Sequence, residues 1–320
     1  MDTNPALTVN DYLDEWLVLL HTRVRRSTRA TYQRMVDIYV RPHIGEVPLA
    51  ELTSHRLDRL YVDLLTGGGR RGGRLARGTI THVHAVLRTA LAAAVDHELI
   101  PENVACRAHV PKYDPEADLA STQLPIWDGD QTRRFLELSA EHQLHDLWRV
   151  ALGTGMRRGE LLGLRWSEVD LASGQLRVSA ALTQVDGVLR LGPPKTGRPR
   201  TLSLDEGTLA AINRQSQTMD TYGHGLVFTR PDHSPWPPTI VTDRWRGQWP
   251  RLARSGVPRI RLHATRHVHA TLLLSAGVPI KVVSERLGHS TIAMTMDTYA
   301  RVFPAMDRDA AAAIGRALMV

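Results

Sequence analysis

The chain has 320 residues, 40 lysines and arginines against 33 aspartates and glutamates, a formal net charge of +7 and a pI near 10.0. Its single cysteine, Cys106, excludes an intrachain disulfide, and no stretch approaches membrane-spanning length without charge. The size predicts roughly two domains, and the basic balance favours a polyanionic partner, because each cation that meets a phosphate releases counterions. Met1-Asp2-Thr3-Asn4-Pro5 lacks the basic-then-apolar layout of a signal peptide, so the sequence predicts a soluble cytoplasmic protein in which Cys106 is a small apolar filler.

The first third reads as four amphipathic helices packed as a bundle. Thr8 caps a segment with Leu13, Trp16, Leu17 and Leu20 at helical spacing, and Ser27 caps a second bearing Tyr32, Met35, Val36 and Tyr39, which Pro42 and Gly45 stop. A third runs from about Ser54 through Leu64 to the glycines Gly67 to Gly69, and Thr79 starts a fourth carrying Val83, Val86, Leu87, Leu91 and Ala94. Between them lies a glycine-rich cationic loop with Arg70, Arg71, Arg74 and Arg77; with Arg25 and Arg26, which open helix two beside Arg23 and Arg29, it suits a phosphate backbone. Residues 111–121, proline-containing and acidic, read as a linker between a domain at 1–110 and another at 122–320. There, helices are expected around Gln131 to Leu138 and Leu144 to Leu152, strands at Gln175 to Val178, Val188 to Leu191 and Arg200 to Leu204, and mostly helices after that. His142 and His145 read as surface residues.

The chemistry-bearing residues lie in this second part. Arg157 follows the turn Gly153-Thr154-Gly155 and opens a helix bearing Leu161. Lys195 sits in a turn between two strands, where its ammonium can protonate a departing alkoxide. His263 and Arg266 are three apart, His289 follows Leu287-Gly288 at a turn, and Tyr299 comes ten residues later. A phosphodiester under attack gathers negative charge on its nonbridging oxygens, which forked guanidiniums match two at a time. Singly, each residue has a plainer reading: a surface arginine, a solvated turn lysine, a capping histidine, a core tyrosine. Their order, Arg, Lys, His-x-x-Arg, His, Tyr, carries the argument.

That order, with the stretches Thr154 to Leu171 and Leu272 to Tyr299, resembles the tyrosine recombinases, the phage integrase family, of actinobacterial phage and mobile-element type. The resemblance covers nearly the whole chain. It implies a mainly α fold with a small β-sheet: an N-terminal four-helix, SAM-like core-binding domain, then an α+β catalytic domain with a C-terminal tail helix. It implies site-specific recombination through a 3′-phosphotyrosine at Tyr299 and a Holliday junction, without metal or cofactor. Arg157 and Arg266 would hold the scissile phosphate, Lys195 would be the general acid, His263 an acid/base group, His289 a phosphate donor, and Glu160 a support for the pocket. Arg25, Arg26, Arg70, Arg71, Arg74, Arg77 and Lys281 would contact DNA. Implied partners are double-stranded attachment sites, a homotetramer on paired sites and an accessory directionality factor. A type IB topoisomerase-like enzyme and a catalytically inactive DNA-binding protein are the alternatives. In two respects the chain departs from the family: Ala264-Thr265 stands where an Asp-Leu pair is usual, predicting a looser His263 and Arg266, and the sequence starts almost at the core-binding domain, without the arm-binding domain that many such integrases carry before it, which reads either as a simple recombinase or as a shortened prophage copy.

Overall fold

The computed structural model describes residues 6–69, 72–112, 125–194, 198–217, 225–289, 291–299, 314–316 and 318. The chain divides into two compact units, Met1–Thr122 and Gln123–Val320. The expected linker falls largely outside the described residues, as does nearly all of the tail helix expected from Met306 to Leu318.

In the first unit, helix α1 (Val9–Leu19) starts at a capping box: Thr8 Oγ1 accepts the Asp11 N–H, and the Asp11 carboxylate accepts the Thr8 N–H at 3.0 Å. Helix α2 (Arg26–Met35) begins one residue before Ser27, so Ser27 lies inside the first turn and caps nothing. Its path continues through a π-helical turn, Val36–Val40, into α3 (Arg41–Ile44), so Pro42 does not stop it. A proline in the opening turn of a new helical segment lacks only an N–H that has no partner there. The stop comes at Gly45, where a Cβ would stand 2.6 Å from the Arg41 carbonyl oxygen. Helices α4 (Ser54–Gly67), capped by Thr53, and α5 (Arg77–Asp96), which starts two residues before Thr79, complete the bundle. Trp16, Leu57, Leu60, Tyr61, Leu64, Ile80, Val83 and Leu87 fill its core. Arg25, Arg26, Arg74 and Arg77 are exposed, and Arg70 and Arg71 lie outside the described residues. Cys106, expected to be a filler, is exposed instead, because it ends a short 3₁₀ turn whose inward positions are Val104 and Ala105.

The second unit opens with α6 (Gly129–Leu138), α7 (His145–Thr154) and the short α8 (Arg158–Leu162). Strands β1 (Val169–Asp170), β2 (Gln175–Val178) and β5 (Arg200–Ser203) form an antiparallel sheet in the order β1-β2-β5, pairing Leu176 with Leu202. A separate hairpin pairs β3 (Ala181–Val185) with β4 (Val188–Gly192). The expected strands missed β1, which is two residues long, and β3, which buries neighbouring positions rather than alternate ones. The helices α9 (Glu206–Ser216), α10 (Pro238–Arg246), α11 (Trp249–Leu252), α12 (Thr265–Ser275), α13 (Ile280–Leu287) and α14 (Ile292–Tyr299) follow.

Five aromatic rings anchor this unit's core. Trp245 packs against Trp127, Phe135, Trp148 and Trp249 with ring centroids 4.9 to 5.9 Å apart, and its indole N–H donates to the Ile260 carbonyl at 2.9 Å. His142 stacks on Trp148 at 4.1 Å and His145 shares a contact with Ser139, so both are half-buried rather than surface residues. The ring cluster fixes α6, α7 and α10 together, and α7 ends at the turn that presents Arg157. Trp245→Ala should therefore cost about 3–5 kcal/mol, read as a lower midpoint in chemical denaturation; a loss no larger than that of an exposed alanine substitution would contradict this assignment.

Candidate active site

The site is built on the C-terminal end of α13. Gly288 takes a left-handed conformation (φ 65°), the Gly288 N–H donates to the Glu285 carbonyl, and the His289 N–H reaches back to the Ser284 carbonyl at 3.1 Å. This is a Schellman ending, which satisfies Ser284 and Glu285 and leaves the next carbonyls in need of donors. Three arginines from three elements supply them. Arg200 Nε on β5 donates to the Arg286 carbonyl at 2.8 Å, Arg266 Nη2 on α12 donates to the Leu287 carbonyl, and Arg157 Nη2 approaches the Gly288 carbonyl at 3.5 Å. The negative end of a helix dipole favours cations at this position.

Each guanidinium is also held from behind. Arg266, 3 % exposed, donates through Nη1 to the Gly155 carbonyl at 2.8 Å. Gly155 is itself left-handed (φ 64°), and a Cβ there would stand 2.8 Å from both the His269 ring and the Leu287 side chain, so only glycine lets α7 end this close to α13. Arg157 is the N-cap of α8 and donates twice to Glu160: its backbone N–H to Oε2 at 3.0 Å and its Nη1 to Oε1 at 2.8 Å. Arg200 Nη2 donates to the same Oε2 at 2.7 Å. Burial alone would push the Glu160 carboxyl up; the hydrogen bond and charge of Arg200, then those of Arg157, outweigh it and hold it below the ordinary range.

His289 leaves this turn with its Nδ1 2.7 Å from Thr295 Oγ1, a fully buried residue of α14. Burial first, then the charges of Arg266, Arg157, His267 and Arg200, push the imidazole down to about 4, so it is neutral near pH 7. His269 is likewise pushed down to about 4, chiefly by burial, and its Nδ1 lies 2.9 Å from the Leu152 carbonyl.

Of the residues singled out from the sequence, Arg157, Glu160, Arg266 and His289 are brought together directly. His263 belongs to a 3₁₀ turn, Leu262–Ala264, just before α12, with its ring edge-on to His267 at 5.6 Å. Ala264 and Thr265 are both buried, and Thr265 Oγ1 donates to the Leu262 carbonyl at 2.7 Å. Tyr299 is the last residue of α14, one helical turn beyond Thr295. Lys195 lies outside the described residues, and Lys281 is exposed on α13. Sequence reasoning missed Arg200, Thr295 and His269. Arg200 stands two residues from the exposed Arg198, and nothing in their spacing tells the two apart. Thr295 could have been suspected from its place four residues before the tyrosine. Among the described residues, no group of three or more His, Cys, Asp or Glu side chains is placed to hold a metal ion.

The family model described as the phage integrase family matches residues 127–306, and that of the phage integrase N-terminal SAM-like domain matches residues 8–65. The chain belongs to the phage integrase family. This tyrosine recombinase of phage and mobile-element type is 27 % identical to a "Tyrosine recombinase XerC-like" protein of Caldanaerobacter subterraneus subsp. tengcongensis, over 93 % of this chain and 80 % of that one. It is 28 % identical to the integrase of Mycobacterium phage L5, over 91 % and 74 % respectively. Against the ICEBs1 integrase from Bacillus subtilis and the prophage integrase IntR from Escherichia coli, the match spans only 55 % and 44 % of the relative. The integrase fold is shared with a solved Tn1549 transposon integrase at a TM-score of 0.74 and 20 % identity, covering 94 % of this chain and 99 % of that one. A λ integrase tetramer bound to a Holliday junction matches at a TM-score of 0.67 and 16 % identity, covering 92 % and 78 %.

The two depressed histidines give the integrase a defined acid sensitivity. A histidine held neutral by the fold ionises more readily in the unfolded chain, so the unfolded state binds more protons below the ordinary value of 6.5. Stability should fall as the pH drops from about 6.5 towards 4 and lose nothing more from these groups below that. Denaturant melts at a series of pH values should show this slope, and His269→Gln should flatten it; an unchanged slope would refute the assignment to His269.

Proposed function

We propose that this integrase is a site-specific recombinase that cuts and rejoins DNA through a 3′-phosphotyrosine at Tyr299. The observation that supports the reading most directly is the convergence of Arg157, Arg266 and His289 on one helix end, with the helix that carries Tyr299 tied to the same turn through Thr295. Two permanently charged forks and a neutral imidazole suit the oxygens of a single phosphodiester. The phenol oxygen of Tyr299 attacks phosphorus, a P–O bond to tyrosine forms, and the bond to the 5′ oxygen breaks. The departing alkoxide takes its proton from Lys195, and the phenol proton passes to His263. In the reverse step the 5′ hydroxyl of the partner strand attacks the phosphotyrosine and releases the phenol. One phosphoester replaces another at each stage, so the bond energy is conserved.

On this reading the substrate is a pair of duplex attachment sites bridged by a homotetramer through a Holliday junction, in the cytoplasm, with an accessory directionality factor. The relatives' solved complexes, with circular intermediate DNA for Tn1549 integrase and a Holliday junction for λ integrase, support this assembly. The first unit, with Arg25, Arg26, Arg70, Arg71, Arg74 and Arg77, and Lys281 of the second would grip the backbone. Affinity should fall steeply with salt, as it does wherever several phosphates are neutralised.

The test is covalent capture on a nicked duplex taken from the DNA flanking the gene. The wild-type chain should form a protein–DNA adduct that Tyr299→Phe abolishes without loss of binding. Thr295→Val removes the hydrogen bond to His289 and should slow adduct formation roughly tenfold, again with affinity kept. Tight binding without an adduct would assign the chain to inactive DNA-binding proteins; relaxation of supercoiled plasmid without strand exchange would assign it to topoisomerase chemistry.

A further inference from the structure

We propose that Arg200 is a positioning residue of the strand-cleavage site, setting on one guanidinium both the Glu160 carboxylate that orients Arg157 and the helix end from which His289 departs. The proposal rests on the reading that this site cleaves DNA. Arg200 lies at the start of β5, five residues after Lys195, and was not among the residues whose type and order marked the site. Its side chain is 9 % exposed and that of Glu160 1 %. A guanidinium buried to this degree costs desolvation unless its donors are used. Two are: Nη2 donates to Glu160 Oε2 at 2.7 Å and Nε to the Arg286 carbonyl at 2.8 Å.

The Glu160 carboxylate accepts three donors, two from Arg157 and one from Arg200. With Arg200 removed, Oε2 keeps only the Arg157 backbone N–H. The carboxylate then loses the contact that fixes its plane, and with it the angle at which Arg157 Nη1 is held. At the other end, the Arg286 carbonyl loses its donor, and that carbonyl starts the turn through Leu287 and Gly288 to His289. Arg200 also stands against this turn sterically, since a Cβ on Gly288 would meet Arg200 Nη1 at 3.0 Å. Its Nη1 is buried with no hydrogen-bond partner, so the arginine is not placed to satisfy every donor. What it satisfies are the two groups that aim Arg157 and His289. Lysine, with one nitrogen, cannot serve a carboxylate and a carbonyl in this fork geometry.

A stabilising arginine and a positioning one differ in what their loss moves. His289 is faced by Arg157 from α8, Arg266 and His267 from α12, Arg200 from β5 and Thr295 from α14. The experiment compares the full chain with Arg200→Ala and Arg200→Lys, following the His289 ring by NMR titration without DNA and single-turnover adduct formation on the nicked flanking duplex. Arg200→Ala should raise the His289 midpoint toward the ordinary histidine value and slow adduct formation by about 100-fold, with half-saturating DNA changed less than about threefold. Arg200→Lys keeps the charge and should keep the part of the midpoint that the Arg200 charge sets, but should not restore the rate, which follows geometry. A folded Arg200→Ala that cleaves at the wild-type rate overturns the proposal, as does one that melts earlier with rate and midpoint unmoved. Should the alanine variant not fold, a wild-type rate in Arg200→Lys overturns it alone. If the wild-type chain forms no adduct, the recombinase reading fails by itself, and the titration still decides whether Arg200 acts on the His289 turn.

Discussion

Three guanidiniums cap three successive carbonyls at one helix end, and the rest of the candidate site is arranged around that contact. The end of α13 offers the Arg286, Leu287 and Gly288 carbonyls in sequence, and Arg200, Arg266 and Arg157 answer from a strand, a helix and a helix N-cap. A helix terminus is a rigid acceptor array with partial negative charge, so it can hold several cations close together without a carboxylate for each. The arrangement depends on two left-handed glycines. Gly288 turns the chain out of α13, and Gly155 turns it out of α7 at a distance no Cβ would permit.

Gathering like charges raises the electrostatic energy of the site. Glu160 offsets part of it, with an ionised carboxylate shared by Arg157 and Arg200. The remaining positive potential acts on the histidines, and both His267 and His289 are pushed down by burial and neighbouring arginines. A dianionic transition state would find donors already oriented and a surplus of positive charge already in place, which is how preorganised sites lower barriers. The link from His289 through Thr295 to α14 gives the same turn a hold on the helix that ends in Tyr299.

Much of the fold was legible because the apolar spacing of α1, α4, α5 and α7 is regular and their caps and stops have local causes. Reading failed where local rules competed. Pro42 normally ends a helix, yet a π turn just before it starts a fresh segment in which the proline fits. β3 pairs with β4 although its burial does not alternate, because α8 packs over one side of it. The site was legible through the order of its residue types, which singles out Arg157, Glu160, Arg266 and His289, four residues that the fold brings together. Arg200 was not, because an arginine opening a short strand looks the same whether it faces solvent or a buried carboxylate.

The sequence by itself determined the composition of the site: residue identity fixes which groups carry permanent charge, which can titrate near neutrality and where glycine must relieve the backbone. Only the tertiary structure decided the partners of those groups. Glu160 and Arg200 are 40 residues apart, and Gly155 and Arg266 111 apart. Contacts over such separations follow from how α7, α12, α13 and β5 pack about a common core, and no local pattern in the chain encodes that packing.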